Sequence, residues 1–195
     1  MKTKADLPLA AFGGRSLSPL VAAYFELNHL KQLYRQGWLR RGIPPERCES
    51  VAEHIFGMVM LAWWIADAHF PQLDREKIIR MTLVHELGEI YTGDIVPGDA
   101  ILPAEKHRRE REGFLRVTRK LPRGEEYLRL WEEYDQGSTP EARFVKQIDR
   151  LEMAFQAAVY RQQGFENMAE FFASAEAGVA DDLLREILKE ISTAF

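Results

Sequence analysis

The sequence predicts an all-α single domain. Three observations carry that expectation. Apolar residues recur at helical spacing in most segments, no segment alternates as a half-buried strand does, and no repeat or low-complexity linker divides the chain. With 195 residues, 46% of them hydrophobic, residues 1–195 suffice for one sizeable core.

Residues 1–18 contain Pro8, Gly13 and Gly14 and read as an N-terminal arm or loop, ahead of a core over residues 20–163. From Pro19, the residues Val21, Tyr24, Phe25, Leu27, Leu30, Leu33 and Tyr34 predict a helix that stops near Gly37. Pro44 and Pro45 make residues 38–45 irregular. Ser50 and Glu53 are spaced as a capping box. The helix they open runs through Ile55, Met58, Leu61, Ala62 and Ile65 and ends before Pro71, with His54 in its first turns. Asp74 is the expected N-cap of a third helix, whose apolar residues Ile78, Ile79, Leu83, Val84, Leu87 and Ile90 predict an unbroken run.

Residues 95–99 read as a loop, and Pro103 opens a strongly charged helix over residues 104–121. Further helices are predicted over 125–134 and over 141–163, where Phe144, Ile148, Leu151, Phe155 and Val159 form the stripe and Asp149 flanks it. Two weaker helices, over 168–175 and 181–192, make up the C-terminal segment 166–192.

A net charge of −4 gives no reason to expect nucleic acid or an anionic membrane as partner. The longest apolar run, residues 59–66, is too short to cross a bilayer, and the N-terminus has no signal-peptide pattern. The single cysteine, Cys48, excludes an internal disulfide and a thiolate metal cluster, so any metal is held by imidazole and carboxylate. It also fits a reducing, cytoplasmic setting.

The chemistry concentrates in residues 83–94, where His85 and the carboxylates Glu86, Glu89 and Asp94 interrupt an apolar segment. On a continuous helix His85 and Glu89 share a face, with Glu86 one step around. Buried charge is costly unless paired or metal-bound, which points to His85 and Glu86 holding a metal with Glu89 working beside it. His54 and Asp149 offer further ligands from separate helices. Alone, His85 would read as a structural histidine, and Glu86, Glu89, His54 and Asp149 together reverse that reading; a surface charge paired with Arg150 or Lys146 is the lesser reading of Asp149. Glu53 reads as a capping acid, His29 and His69 as surface or packing residues, Trp63 and Trp64 as core or dimer surface, and Cys48 as inert.

The order of a His (His54), a His–acid doublet (His85–Glu86) and a distant Asp (Asp149) is similar to that of the HD superfamily of metal-dependent phosphohydrolases. Residues 49–54 (Glu-Ser-Val-Ala-Glu-His), 85–89 (His-Glu-Leu-Gly-Glu), 92–94 (Thr-Gly-Asp), 105–110 and 144–149, with Gly37–Trp38, resemble its 5′-deoxynucleotidase-like branch over residues 30–161. One departure stands out: the family doublet is His–Asp, and here it is His85–Glu86. A glutamate oxygen still suits such ions, but its extra methylene moves that oxygen by about 1.5 Å.

The resemblance implies a compact HD-domain helical bundle in which His54, His85, Glu86 and Asp149 hold one divalent ion: Co, Mn, Zn, Fe or Mg. It makes Glu89 the group that orients or deprotonates the attacking water and sets Asp94 on the sugar and leaving-group side. Trp38 would wall or stack on the nucleoside, and Arg40 or Arg41 would meet the phosphate, with Lys106 and Arg109 as outside candidates. The expected substrate is a small-molecule nucleotide, a (deoxy)nucleoside 5′-monophosphate, and the expected assembly is a homodimer. Two rival readings stand beside it: hydrolysis of another phosphorylated nucleotide or metabolite, and a metal- or nucleotide-binding protein without turnover.

Overall fold

The computed structural model describes residues 2–96 and 98–193. The helices are α1 (Pro19–Leu27), α2 (Gln36–Arg40), α3 (Val51–His69), α4 (Arg75–Val84), α5 (Glu89–Thr92), α6 (Pro103–Thr118), α7 (Gly124–Gln136), α8 (Pro140–Gln162), α9 (Ala169–Gly178) and α10 (Asp182–Thr193). The all-α expectation holds, since among the described residues there are two isolated bridges, Thr3 with Leu33 and Tyr34 with Ser50, and no strand. Met1 of the arm and Pro97 of the expected 95–99 loop lie outside the described residues.

Local chemistry sets where the main helices begin. Ser50 and Glu53 make the full capping box, each satisfying a backbone N–H of the other. Asp74 accepts from Lys77 N at 3.0 Å, and Thr139 from Ala142 N at 3.2 Å. Gly137, at φ 61°, closes α7 in the left-handed region that glycine tolerates.

α3 and α8 pack together at the centre, α3 also against α4 and α8 also against α9 and α10. One apolar cluster joins Met58, Ala62 and Ile65 of α3 to Ile78 and Met81 of α4 and to Ile148 and Leu151 of α8. A second gathers Leu30, Leu33, Val51 and Ile55 with Leu87, Ile90, Phe114 and Trp131. His54 sits on α3 where these clusters meet, between Val51 and Ile55 of one and Met58 of the other. By length and composition α3 as a whole would span a bilayer, at mean hydropathy 1.3, although its longest run does not. Here its apolar face is spent on α4 and α8.

Two expected helices are broken. The run predicted from Pro19 to Gly37 ends at Leu27, tightens into a 3-10 turn over Asn28–Lys31, and becomes extended where Leu33 and Tyr34 pair with Thr3 and Ser50. Gly37 then lies inside α2, where an added Cβ would meet the Phe171 ring at 3.4 Å. Leu30 and Leu33 stay buried beyond the end of the helix, so their apolar spacing could not reveal the break.

The central helix divides as well. Between α4 and α5, residues 85–88 form turns, and the N–H groups of Leu87, Glu89, Ile90 and Tyr91 bond three residues back rather than four. Glycines let α6 close on these turns: a Cβ on Gly88 would lie 2.5 Å from the Glu110 carbonyl oxygen, and one on Gly113 would strike the Gly88 carbonyl. α6 therefore lies backbone to backbone on this segment.

Candidate metal centre and active site

His54 is completely buried, and both ring nitrogens meet carboxylates of α8. Its Nε2 lies 3.2 Å from Asp149 Oδ1 and its Nδ1 2.5 Å from Glu152 Oε2. His85 ends α4, and its Nδ1 is 2.8 Å from the Thr82 carbonyl oxygen. A carbonyl only accepts, so Nδ1 carries the proton and Nε2 keeps its lone pair. Donor atoms of His54, His85 and Asp149 all lie within 4.8 Å of one another.

This trio fits a divalent ion. Among the described residues the Nε2 atoms of His54 and His85 are buried without a hydrogen-bond partner, a costly arrangement unless something else fills that valence. Two imidazoles and a carboxylate are an ordinary donor set for such an ion. Without one, burial and Arg35 push the His54 imidazole down, yet Glu152 and Asp149 outweigh both and hold it up at about 10. Burial would lift Asp149, and the His54 imidazole in contact with it, followed by the His85 and Arg35 charges, pulls it far below the carboxylate range.

Glu86 sits beside the trio, not inside that 4.8 Å set. Its Oε1 is 3.4 Å from His85 Nε2 and 3.7 Å from the Arg35 guanidinium. Burial opposes its charge, and His85 followed by Arg35 holds it well below the ordinary glutamate value. The longer side chain thus reaches toward a cation as well as toward His85.

Glu89 is buried, and its Oε2 has no hydrogen-bond partner among the described residues. Burial, then the nearby Glu86 and Asp94 charges, push its carboxyl well above the usual range. Asp94 accepts from Gln36 N and lies 3.6 Å from Arg35. Burial raises its carboxyl against the lowering by Arg35.

Glu86, Glu89, Asp94 and Asp149 line one cavity of about 380 Å³ together with Arg35, Lys106 and the α2 residues Gly37, Trp38, Arg40 and Arg41. Trp38 is 1% exposed. It donates from Nε1 to Glu49 at 2.7 Å and packs against Phe171, ring centroids 3.9 Å apart, so it stands as a wall. Arg40 pairs with Asp99 and Arg41 with Glu170 at the solvent end. Lys106 donates to the Ile95 carbonyl at 3.1 Å, whereas Arg109 pairs with Glu105 on the exposed face of α6.

Three contributors were not singled out from the sequence. Arg35 stands just before the quoted Gly37–Trp38 pair, but the expected helix ran straight through it. Glu152 follows Asp149 by one helical turn on the same face, which was its available signal. α9 brings Phe171 and Ser174 to the cavity from beyond the stretch that carries the family pattern, and no sequence signal marked it.

The HD-domain family profile matches residues 27–192. A human protein named 5′-deoxynucleotidase HDDC2 is 39% identical over 158 residues, 80% of this chain and 75% of that one. The Schizosaccharomyces pombe protein named 5′-deoxynucleotidase hdd1 is 36% identical over 153 residues, 74% of this chain and 75% of its own. Among solved structures, the PH0347 protein of Pyrococcus horikoshii OT3 superposes with a TM-score of 0.75 at 32% identity, covering 88% of this chain and 97% of that one.

Proposed function

The chain belongs to the HD-domain family, and from that premise we propose how its site works. The protein is a metal-dependent phosphomonoesterase that removes the phosphate from (deoxy)nucleoside 5′-monophosphates, in keeping with relatives named 5′-deoxynucleotidase. The observation that carries this reading is the buried His54–His85–Asp149 donor trio, whose Asp149 lines, with Glu86 and Glu89, a cavity of nucleotide size.

His54, His85 and Asp149 would hold the ion, with Glu86 beside them. A divalent ion there supplies Lewis-acid polarisation of a phosphoryl oxygen and a lowered pKa for water. Glu89 takes the proton of the attacking water, and the burial that raises its carboxyl above the usual range strengthens its hold on that proton. Arg35 and Lys106 offer positive charge to the phosphate, and Asp94, fixed by Gln36 N and Arg35, faces the leaving side. Trp38, Phe171, Met153 and Val96 enclose the apolar part of the nucleoside.

The protein further works as a cytoplasmic homodimer. Supporting the dimer, Phe56, Trp63 and Trp64 are exposed on one face of α3, at helical spacing i, i+7 and i+8. Trp63 and Trp64 therefore lie outside the core, the first of the two places the sequence allowed them. Supporting the compartment, the only cysteine is a buried free thiol. A Trp64→Glu variant should run as a monomer in light-scattering chromatography; an unchanged mass would exclude this face.

The activity is tested by phosphate release from a panel of ribo- and deoxynucleotides with Mn²⁺, Co²⁺, Zn²⁺ or Mg²⁺. Wild type should turn over deoxynucleoside monophosphates. Glu89→Gln should lose about 10²–10⁴-fold in kcat at unchanged metal content. Tight nucleotide binding without release, under every metal, would replace the enzyme reading by that of a binding protein.

A further inference from the structure

A metal-ligating histidine works only in one tautomer, and that tautomer is set by what its other nitrogen touches. For His85 the Thr82 carbonyl fixes it. For His54 the corresponding group is Glu152, on α8 three residues after Asp149. Asp149 and Glu152 thus share one face of that helix and grip the imidazole from both sides, Oδ1 at 3.2 Å from Nε2 and Oε2 at 2.5 Å from Nδ1. An ionised carboxylate accepts and never donates, so this contact keeps the proton on Nδ1 and leaves Nε2 facing His85 and Asp149.

The same carboxylate explains a glycine. Gly57 is helical, in the middle of α3, where alanine would ordinarily be favoured. A Cβ there would lie 2.6 Å from Glu152 Oε1 and 3.4 Å from its Cδ. The missing side chain leaves the room in which Glu152 reaches His54.

We propose that Glu152 is the positioning residue of the metal centre, that it holds His54 with Nδ1 protonated and Nε2 turned to the ion, and that Gly57 is the space it needs. The inference rests on the metal reading of the site, and it assigns Glu152 no contact with ion or substrate.

The test is Co²⁺ titration of the purified full chain, followed by visible absorption, for wild type, Glu152→Gln, Glu152→Ala, Gly57→Ala and the Gly57→Ala/Glu152→Ala double variant. Glu152→Ala should weaken Co²⁺ binding about 10–100-fold. Glu152→Gln, which keeps an acceptor oxygen, should fall between it and wild type. Gly57→Ala should weaken binding with Glu152 intact, and should add nothing once Glu152 is alanine. In the Zn²⁺-loaded protein, proton NMR should show a protected, far-downfield His54 Nδ1–H in wild type that disappears in Glu152→Ala.

Wild-type affinity in Glu152→Ala, or equal losses from Gly57→Ala in both backgrounds, would overturn the assignment while leaving the metal reading intact. A wild type that takes up neither ion would overturn both. Should Glu152→Ala fail to fold, Glu152→Gln and Gly57→Ala at wild-type affinity would refute the proposal by themselves.

Discussion

Gly88→Ala sets two effects of known sign against each other. Gly88 has φ −60° and ψ −33°, open to any residue. Alanine there should stabilise by about 0.4–1 kcal/mol through the unfolded chain alone. Against that, its Cβ would lie 2.5 Å from the Glu110 carbonyl oxygen and 3.0 Å from Glu110 Cα. Relaxed contacts need about 3.5 Å, so α6 and residues 85–92 must separate by about 1 Å. Overpacking costs about 1–3 kcal/mol, and here the upper half applies because the obstacle is backbone that no rotamer change relieves. The net is a loss of about 1–2.5 kcal/mol, or about 2–10 °C in melting temperature.

Because Glu86 and Glu89 flank this glycine, a displacement of that size should also lower kcat about 100-fold. Thermal melts of the metal-free protein and phosphate release by the loaded protein read the two effects separately. Gly113→Ala, which reaches the same contact from α6, should behave alike. Exposed Glu112→Ala should stay within about 0.5 kcal/mol of wild type. Unchanged or raised melting temperatures in both glycine variants would refute the backbone-contact reasoning.

Lys120→Met should be destabilising by about 3–5 kcal/mol in urea unfolding, since it strips the ammonium from the buried Glu26 carboxylate and leaves it, among the described residues, the Tyr91 hydroxyl alone. Ser50→Ala removes the α3 cap and should cost about 1 kcal/mol, measured as a melting shift of about 2–4 °C. Burial first, then Glu49, push the Cys48 thiol up to about 12, so a thiol reagent at pH 8 should label it only as fast as the protein unfolds. His54, raised to about 10 in the metal-free protein, contributes stability that is complete below about pH 6.5 and is lost as the pH climbs toward that value. Asp149, held low, contributes above about pH 3.9 and loses its contribution as the pH falls further. Urea unfolding from pH 3 to 10 should therefore show its maximum between these limits, and Asp149→Asn should flatten both flanks.

Fold and site were legible to different depths. Ser50, Asp74 and Pro103 announce their helices because helix-start signals act within one turn, and the stripe from Phe144 to Leu151 announces α8 because burial repeats with the helix. The spacing of His54, His85 and Asp149 said nothing of distance; it became chemistry only through the family pattern those residues completed. Arg35 and Phe171 escaped notice because their part depends on which segments cross the cavity, and no local pattern encodes that.

The sequence alone determined the helical class and most helix starts, and it pointed to His85 and Asp149 as companions of His54. Tertiary structure decided where the central helix breaks, which way Glu86 reaches and which carboxylate steadies His54. The division has one physical cause. Capping and periodic burial are satisfied within a few residues, whereas the close approach of α6 to Gly88, the Arg35 charge between Glu86 and Asp94, and the Glu152 contact exist only after distant segments have packed.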